Sequence, residues 1–171
     1  MPYFLFFLLS TLFIDNAIAQ DVVIKLSDLP SYSKEYNEQS DPFADANAAI
    51  KLAKKTNRNV LIEIGGNWCT WCKKMDAFLE KNPQIYQTLH HKFVLLKVNV
   101  SDRNKNADFM AGLPPVLGYP HMYVSTATGK MILSKDTAEL QENGQYNAKI
   151  WLSFLKEWQA TIHNDKLASN Q

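Results

Sequence analysis

The stretch NVLIEIGGNWCTWCKKMD, residues 59–76, decides how the rest of the chain is read. Val60-Leu61-Ile62-Glu63-Ile64 is a short apolar run holding one acid and bounded by turn residues, which predicts a buried central strand. Gly65-Gly66-Asn67 ends it, and a helix is predicted from the cysteines to about Lys81. Cys69 therefore falls at a helix start, where unpaired backbone N–H groups and the helix dipole favour negative charge. That lowers a thiol's pKa and raises its reactive thiolate fraction. Cys72 lies one turn further on the same face. The arrangement assigns Cys69 as attacking nucleophile and Cys72 as resolving thiol.

Other uses of the pair fit less well. A zinc site takes four ligands and two cysteines supply half; His90 and His91 are adjacent and point different ways on a helix. Covalent haem attachment needs a His after the second Cys, and the residue there is Lys73. A purely structural disulfide across so small a loop would constrain the unfolded chain little. The expectation is a redox-active disulfide with no metal and no bound cofactor. His90, His91, His121 and His163 share no spacing and read as surface or loop residues, except His121, which follows Pro120 and is expected near the site.

Outward from the site, Asp41-Pro42 reads as an N-cap and first helical residue, followed by apolar residues at helical spacing as far as Asn57–Asn59. Asn82-Pro83 starts a further helix to about His91. Phe93–Val100 (FVLLKVNV) is a second buried strand with Lys97 inside it. Residues 101–118 read as irregular or weakly helical. Pro120 begins a strand through Val124, and Thr128-Gly129 turns it into a hairpin with Met131–Leu133. A final helix is predicted from Ala148 to Ile162, with Trp151, Phe154 and Trp158 on one face. The lead-in, residues 20–41, is polar, with Val22-Val23-Ile24 as a short strand. Such alternation calls for an α/β sheet with helices on both faces.

The N-terminus differs in kind. MPYFLFFLLSTLFI, residues 1–14, is almost devoid of polar groups and is followed by Ala17-Ile18-Ala19, the layout of a secretory signal peptide. There is no Lys or Arg before the apolar core. The run is shorter than the roughly 20 residues that span a bilayer; an uncleaved membrane anchor or a buried helix is the alternative to a cleaved signal. The expected organisation is a signal at 1–19, an extension at 20–41, one domain at 42–163 and a tail at 164–171. The protein is then exported, with the periplasm as natural compartment, and soluble after cleavage. Hydrophobic residues are 46% of the 171, enough for a core, while charged residues are 20% and the net charge is +1. That balance gives no argument for nucleic acid or an acidic membrane surface.

Trp68-Cys69-Thr70-Trp71-Cys72-Lys73 resembles the active-site segment of the thioredoxin superfamily. Glu63, six residues before Cys69, matches the family's buried acid. Lys97 matches the lysine paired with it, and Tyr119-Pro120 matches the cis-proline loop facing the disulfide. The resemblance runs from Pro42 to Ile162. Within the superfamily the chain looks most like exported members, including the C-terminal domain of DsbD-type thiol:disulfide interchange proteins. It departs from ordinary thioredoxins in its Thr70-Trp71 dipeptide and in Glu in place of Asp.

The resemblance implies a thioredoxin fold, a central mixed sheet flanked by helices, with an N-terminal extension. It implies thiol–disulfide exchange with protein substrates, as a monomeric reductase fed by a membrane thiol reductase. Oxidation or isomerisation, or a non-catalytic binding module, are the alternatives. Cys69, Cys72, Glu63 and Lys97 are the expected catalytic group. Trp68, Thr70, Trp71, Tyr119 and Pro120 are the expected substrate-contacting group. A buried carboxyl has a raised pKa, so Glu63 is suited to accept the Cys72 proton.

Overall fold

The computed structural model describes residues 23–168, with side chains from 23 to 158. The expected signal, residues 1–19, lies outside the described residues. In chain order the elements are α1 (Ser31–Lys34), α2 (Pro42–Thr56), β1 (Asn59–Gly65), α3 (Thr70–Lys81), α4 (Pro83–Lys92), β2 (Phe93–Asn99), α5 (Ala107–Ala111), β3 (His121–Ser125), β4 (Met131–Asp136), β5 (Gln141–Glu142), β6 (Gln145–Tyr146) and α6 (Ala148–Ala168). Four strands form one sheet in the order β2-β1-β3-β4, and β5 and β6 form a separate hairpin. β1 runs parallel to β2 and antiparallel to β3. This is the mixed, helix-flanked sheet of the thioredoxin fold that the resemblance implied.

Local chemistry accounts for the main boundaries. The Asp41 carboxylate accepts from the N–H groups of Phe43 and Ala44 at 2.9 and 3.3 Å, and Pro42 occupies the first turn of α2. Such a cap answers amides that have no partner within the helix. At the other end Asn57 adopts a left-handed φ of 52°, one that Asn tolerates better than most residues.

Alternation along the strands divides the core. Leu61 and Leu95 face one side of the sheet, where Met75, Leu79, Ile85, Leu89, Trp151 and Leu155 of α3, α4 and α6 pack on them. Val60, Ile62, Ile64, Val94, Leu96 and Val98 face the other, against Ala49 and Ala53 of α2. Small alanines let α2 approach the sheet closely. The backbone of α6 continues to Ala168, beyond the expected end at residue 162.

The lead-in differs from its expected form. Val23 and Ile24 form no strand. The backbone of Ile24 is instead held by one side-chain amide: its N–H donates to Gln87 Oε1 at 2.9 Å, and Gln87 Nε2 donates to its carbonyl at 2.8 Å. With both polar groups answered there, pairing to a sheet edge offers nothing more. Among the described residues, no helix is long and apolar enough to cross a membrane.

His90, expected at the surface, is buried, and so is His121, which its place after Pro120 sets apart. His121 lies on β3 with Nε2 2.9 Å from Ser134 Oγ. His90 is 2% exposed and its ring packs on Tyr86. Burial, with Arg58, Lys97 and His91 nearby, holds the His90 pKa down at about 4. The unfolded chain therefore binds a proton that the folded chain refuses between about pH 6.5 and 4. The contribution is full above pH 6.5 and is lost as pH falls toward 4. Urea unfolding across that window should show His90→Gln losing less stability than the parent, by on the order of 3 kcal/mol. Equal slopes would remove His90 as the source.

Candidate active site

Cys69 and Cys72 are joined in a disulfide with Cα atoms 5.2 Å apart. Cys69 is the N-cap of α3, and its sulfur accepts from the Cys72 N–H at 3.0 Å. The first sulfur is thus aimed at by helix N-terminal donors, as the spacing predicts, and such donors stabilise a thiolate. The second is the better covered: Cys72 is 1% exposed and Cys69 3%.

The sheet brings the remaining pieces to the same end. β1 finishes at Gly65, and the chain turns through Gly66-Asn67-Trp68 into the cysteines. β3 enters with His121 opposite Ile64, which puts the residue before it, Pro120, level with the end of β1. The Tyr119–Pro120 peptide is cis and Pro120 is buried. Thr137 Oγ1 donates to the Pro120 carbonyl at 2.6 Å. The two loops meet directly, the ring of Trp68 standing edge-on to Tyr119 with centroids 5.2 Å apart.

Trp68 is turned largely to solvent. It is 54% exposed, and its Nε1 donates to the Val100 carbonyl at 2.7 Å. Beside it opens a cavity of about 650 Å³ walled by Met110, Leu113, Pro115 and Tyr119 and also by Asp102 and Lys105. Trp71 is half-buried against the cysteines, edge-on to Tyr146, with Lys74 Nζ 3.9 Å from its ring centroid. Thr70 is exposed.

Beneath the disulfide, Glu63 and Lys97 are direct neighbours in the β1–β2 register. Both are buried, at 1% and 6% exposure. The lysine's ion pair, however, is with Asp76 of α3, Nζ to Oδ1 at 2.6 Å. The Glu63 carboxylate instead accepts from the hydroxyl of Tyr36. Burial pushes the Glu63 pKa up, and the Asp76 charge adds to it, while Lys97 and the Tyr36 hydrogen bond oppose. For Lys97, burial pulls the pKa down but Glu63 and Asp76 outweigh it, so the ammonium is retained.

Sequence reasoning missed two of these residues. Asp76 carried a signal, since it stands four residues after Cys72 and hence on the same helical face. Tyr36 carried none: it sits in a polar segment 27 residues before Glu63. Among the described residues, no cluster of three or more His, Cys, Asp or Glu could hold a metal ion.

Comparison with known proteins gives the same picture. A model described as thioredoxin-like matches residues 41–127. The thiol:disulfide interchange protein DsbD of Klebsiella pneumoniae is 26% identical over 109 residues, which cover 64% of this chain and 17% of that protein. A protein disulfide-isomerase of Hordeum vulgare is 31% identical over 78 residues, covering 46% of this chain and 14% of that protein. The chain therefore spans less than a fifth of the length of either relative. Among solved structures, a disulphide isomerase from Xylella fastidiosa superposes with TM-score 0.61 at 22% identity, over 75% of this chain and 95% of that one. The oxidised C-terminal domain of Neisseria meningitidis DsbD gives 0.51 at 17% identity, over 71% and 96%. These structures share the fold.

Gly65 makes the closeness of these groups possible. A Cβ there would lie 2.6 Å from both Cys72 Sγ and Tyr36 Oη, closer than packed atoms allow. Gly65→Ala should lower stability by about 1–3 kcal/mol in urea unfolding. An unchanged midpoint would mean that the two side chains yield freely.

Proposed function

The chain belongs to the thioredoxin-like family, and we propose that it is an exported thiol–disulfide oxidoreductase that reduces disulfides in protein substrates. The observation that carries this reading is the placement of Cys69 at the N-cap of α3, its sulfur already accepting a helix N–H. A sulfur so placed is stabilised as thiolate once the disulfide is reduced.

The exchange passes through one mixed disulfide. The Cys69 thiolate attacks one sulfur of a substrate disulfide; the substrate S–S bond breaks, a mixed disulfide forms, and one substrate sulfur leaves as thiolate. Cys72 gives its proton to the Glu63 carboxylate and attacks Cys69 Sγ. The mixed disulfide breaks, the second substrate sulfur leaves, and the Cys69–Cys72 disulfide closes. Two electrons have passed to the substrate. A dithiol donor, for which a membrane thiol reductase is the fitting class, restores the pair. The proton on Glu63 is favoured by burial and by Asp76, and its release by Lys97 and Tyr36. The net shift is upward, the direction that suits a carboxylate to accept a thiol proton.

Substrate contact falls to the groups around the sulfurs. Trp68 and Tyr119 form an exposed aromatic pair beside a cavity whose wall is apolar at Met110, Leu113 and Pro115 and carries Asp102 and Lys105, opposite in charge, suited to a substrate segment of mixed character around its cysteine. Thr70 and Trp71 flank the sulfurs on the helix side. Pro120 leaves the entering edge of β3 without a backbone donor at that point, so an extended substrate chain would pair with its neighbours. The chemistry requires no cofactor beyond the disulfide.

Cys72→Ser should trap mixed disulfides through Cys69 that Cys69→Ser does not form, read by thiol-reversible adducts on gels. The direction of electron flow is tested by equilibrating the pair against glutathione buffers. A potential near the thioredoxin value of about −270 mV fits a reductase, whereas one near about −120 mV makes the protein a disulfide donor. No reversible couple and no trapped adduct would leave a thioredoxin-fold binding module in its place.

A further inference from the structure

Residues 31–38 precede the span matched by the family model, yet they reach under the redox pair. Three hydrogen bonds fix them: the Ser33 hydroxyl donates to the Leu95 carbonyl, Asn67 Nδ2 to the Tyr36 carbonyl at 3.1 Å, and Asn104 Nδ2 to the Glu38 carbonyl at 2.7 Å. The segment so held delivers Tyr36 into the interior, 4% exposed. Its ring packs with Cys69 and Cys72, and Lys97 Nζ lies 5.1 Å from the ring centroid. Its hydroxyl donates to Glu63 Oε1. Across the gap left by Gly65, that hydroxyl and Cys72 Sγ stand on either side of one missing Cβ.

We propose that Tyr36 is a positioning residue for the Cys72 half of the exchange, its hydroxyl holding Glu63 in place and favouring the ionised carboxylate that takes the Cys72 proton. This rests on the oxidoreductase reading above. A hydrogen bond donated to a carboxylate favours its charged form. The charged and titratable groups facing Glu63 are Lys97 from β2, which also favours that form, Asp76 from α3, which opposes it, and Tyr146 from β6. Burial and the Glu63 charge push the Tyr36 pKa well above 10. The phenol therefore stays protonated, and a donor, wherever the enzyme works. Loss of the hydroxyl leaves Glu63 protonated to higher pH, and the acid limb of the Cys72 step moves up with it.

Tyr36→Phe keeps the ring and removes the oxygen alone. The rate at which Cys72 resolves a mixed disulfide between Cys69 and glutathione should be followed against pH in the parent, Tyr36→Phe, Glu63→Gln and the double variant. The expected result is an acid limb about one pH unit higher in Tyr36→Phe, a tenfold loss of rate along that limb. In the Glu63→Gln background the same change should shift nothing further. An unmoved limb, or an equal shift with and without Glu63, overturns the proposal. A carboxyl titration of Glu63 by carbon NMR in the disulfide-bonded protein needs no turnover and should also move up in Tyr36→Phe. If it moves while the parent resolves no mixed disulfide, the oxidoreductase reading fails and the Tyr36–Glu63 linkage stands. If it stays, Tyr36 has no such role whatever the exchange shows.

Discussion

A carboxylate set into an inner strand of a sheet loses water that it needs, and ionisation there costs several kcal/mol unless partners replace the solvent. Glu63 is such a group, on a strand flanked by β2 and β3. Much of the surrounding structure can be read as the answer to that one placement. Lys97 stands beside it in register, Asp76 holds the lysine from α3, and Tyr36 supplies a hydroxyl from the N-terminal side. No single partner discharges the burial cost. The lysine's hydrogen bond goes to Asp76, so its charge reaches Glu63 through space, and the direct contact is a neutral donor. The carboxyl is left with a raised pKa. A full salt bridge would have locked it ionised, and a wholly apolar cage would have locked it neutral.

The sheet supplies the geometry that this chemistry needs. β1 is parallel to β2 and antiparallel to β3, so the exit of β1 and the entry of β3 fall at the same end. One delivers the cysteines, the other the cis Tyr119–Pro120 peptide. α3 starts from that end and carries both sulfurs and Asp76. The strand alternation puts Glu63 and Lys97 on the side facing α3, α4 and α6, with Leu61 and Leu95. One strand and one helix thereby carry the acid and the sulfurs to the same end of the sheet.

What was legible in the sequence follows physical lines. The strand-turn-helix at residues 59–81 was readable because apolar run, glycine break and helix start agree. Asp41-Pro42 marked α2 through capping chemistry that needs only neighbouring residues. The cis proline and the buried Glu63 and Lys97 came with the family resemblance. The failures share one cause, contacts far apart in the chain. Ile24 is held by Gln87, and no local pattern foretells that a strand-forming triplet will be answered by a distant amide. His90 is buried because Tyr86 and the lead-in cover it, although its neighbour His91 is exposed. Strands β5 and β6 have two residues each, too few for alternation to register. The lysine's partner went to Asp76 because a helix turn brought an acid closer than the strand did.

The N-terminal segment draws attention to where this domain begins. The span matched by the family model starts at residue 41, but the contacts of the buried Glu63 start earlier, at Tyr36. A chimera joined at that shared boundary would inherit both cysteines, the acid and the lysine, and would leave behind the phenol that touches all of them. The span of the family model and the shell of contacts around Glu63 are different lengths of chain. On the proposal made for Tyr36, chain ahead of the shared span is where the environment of that carboxyl could change while every motif residue stays the same.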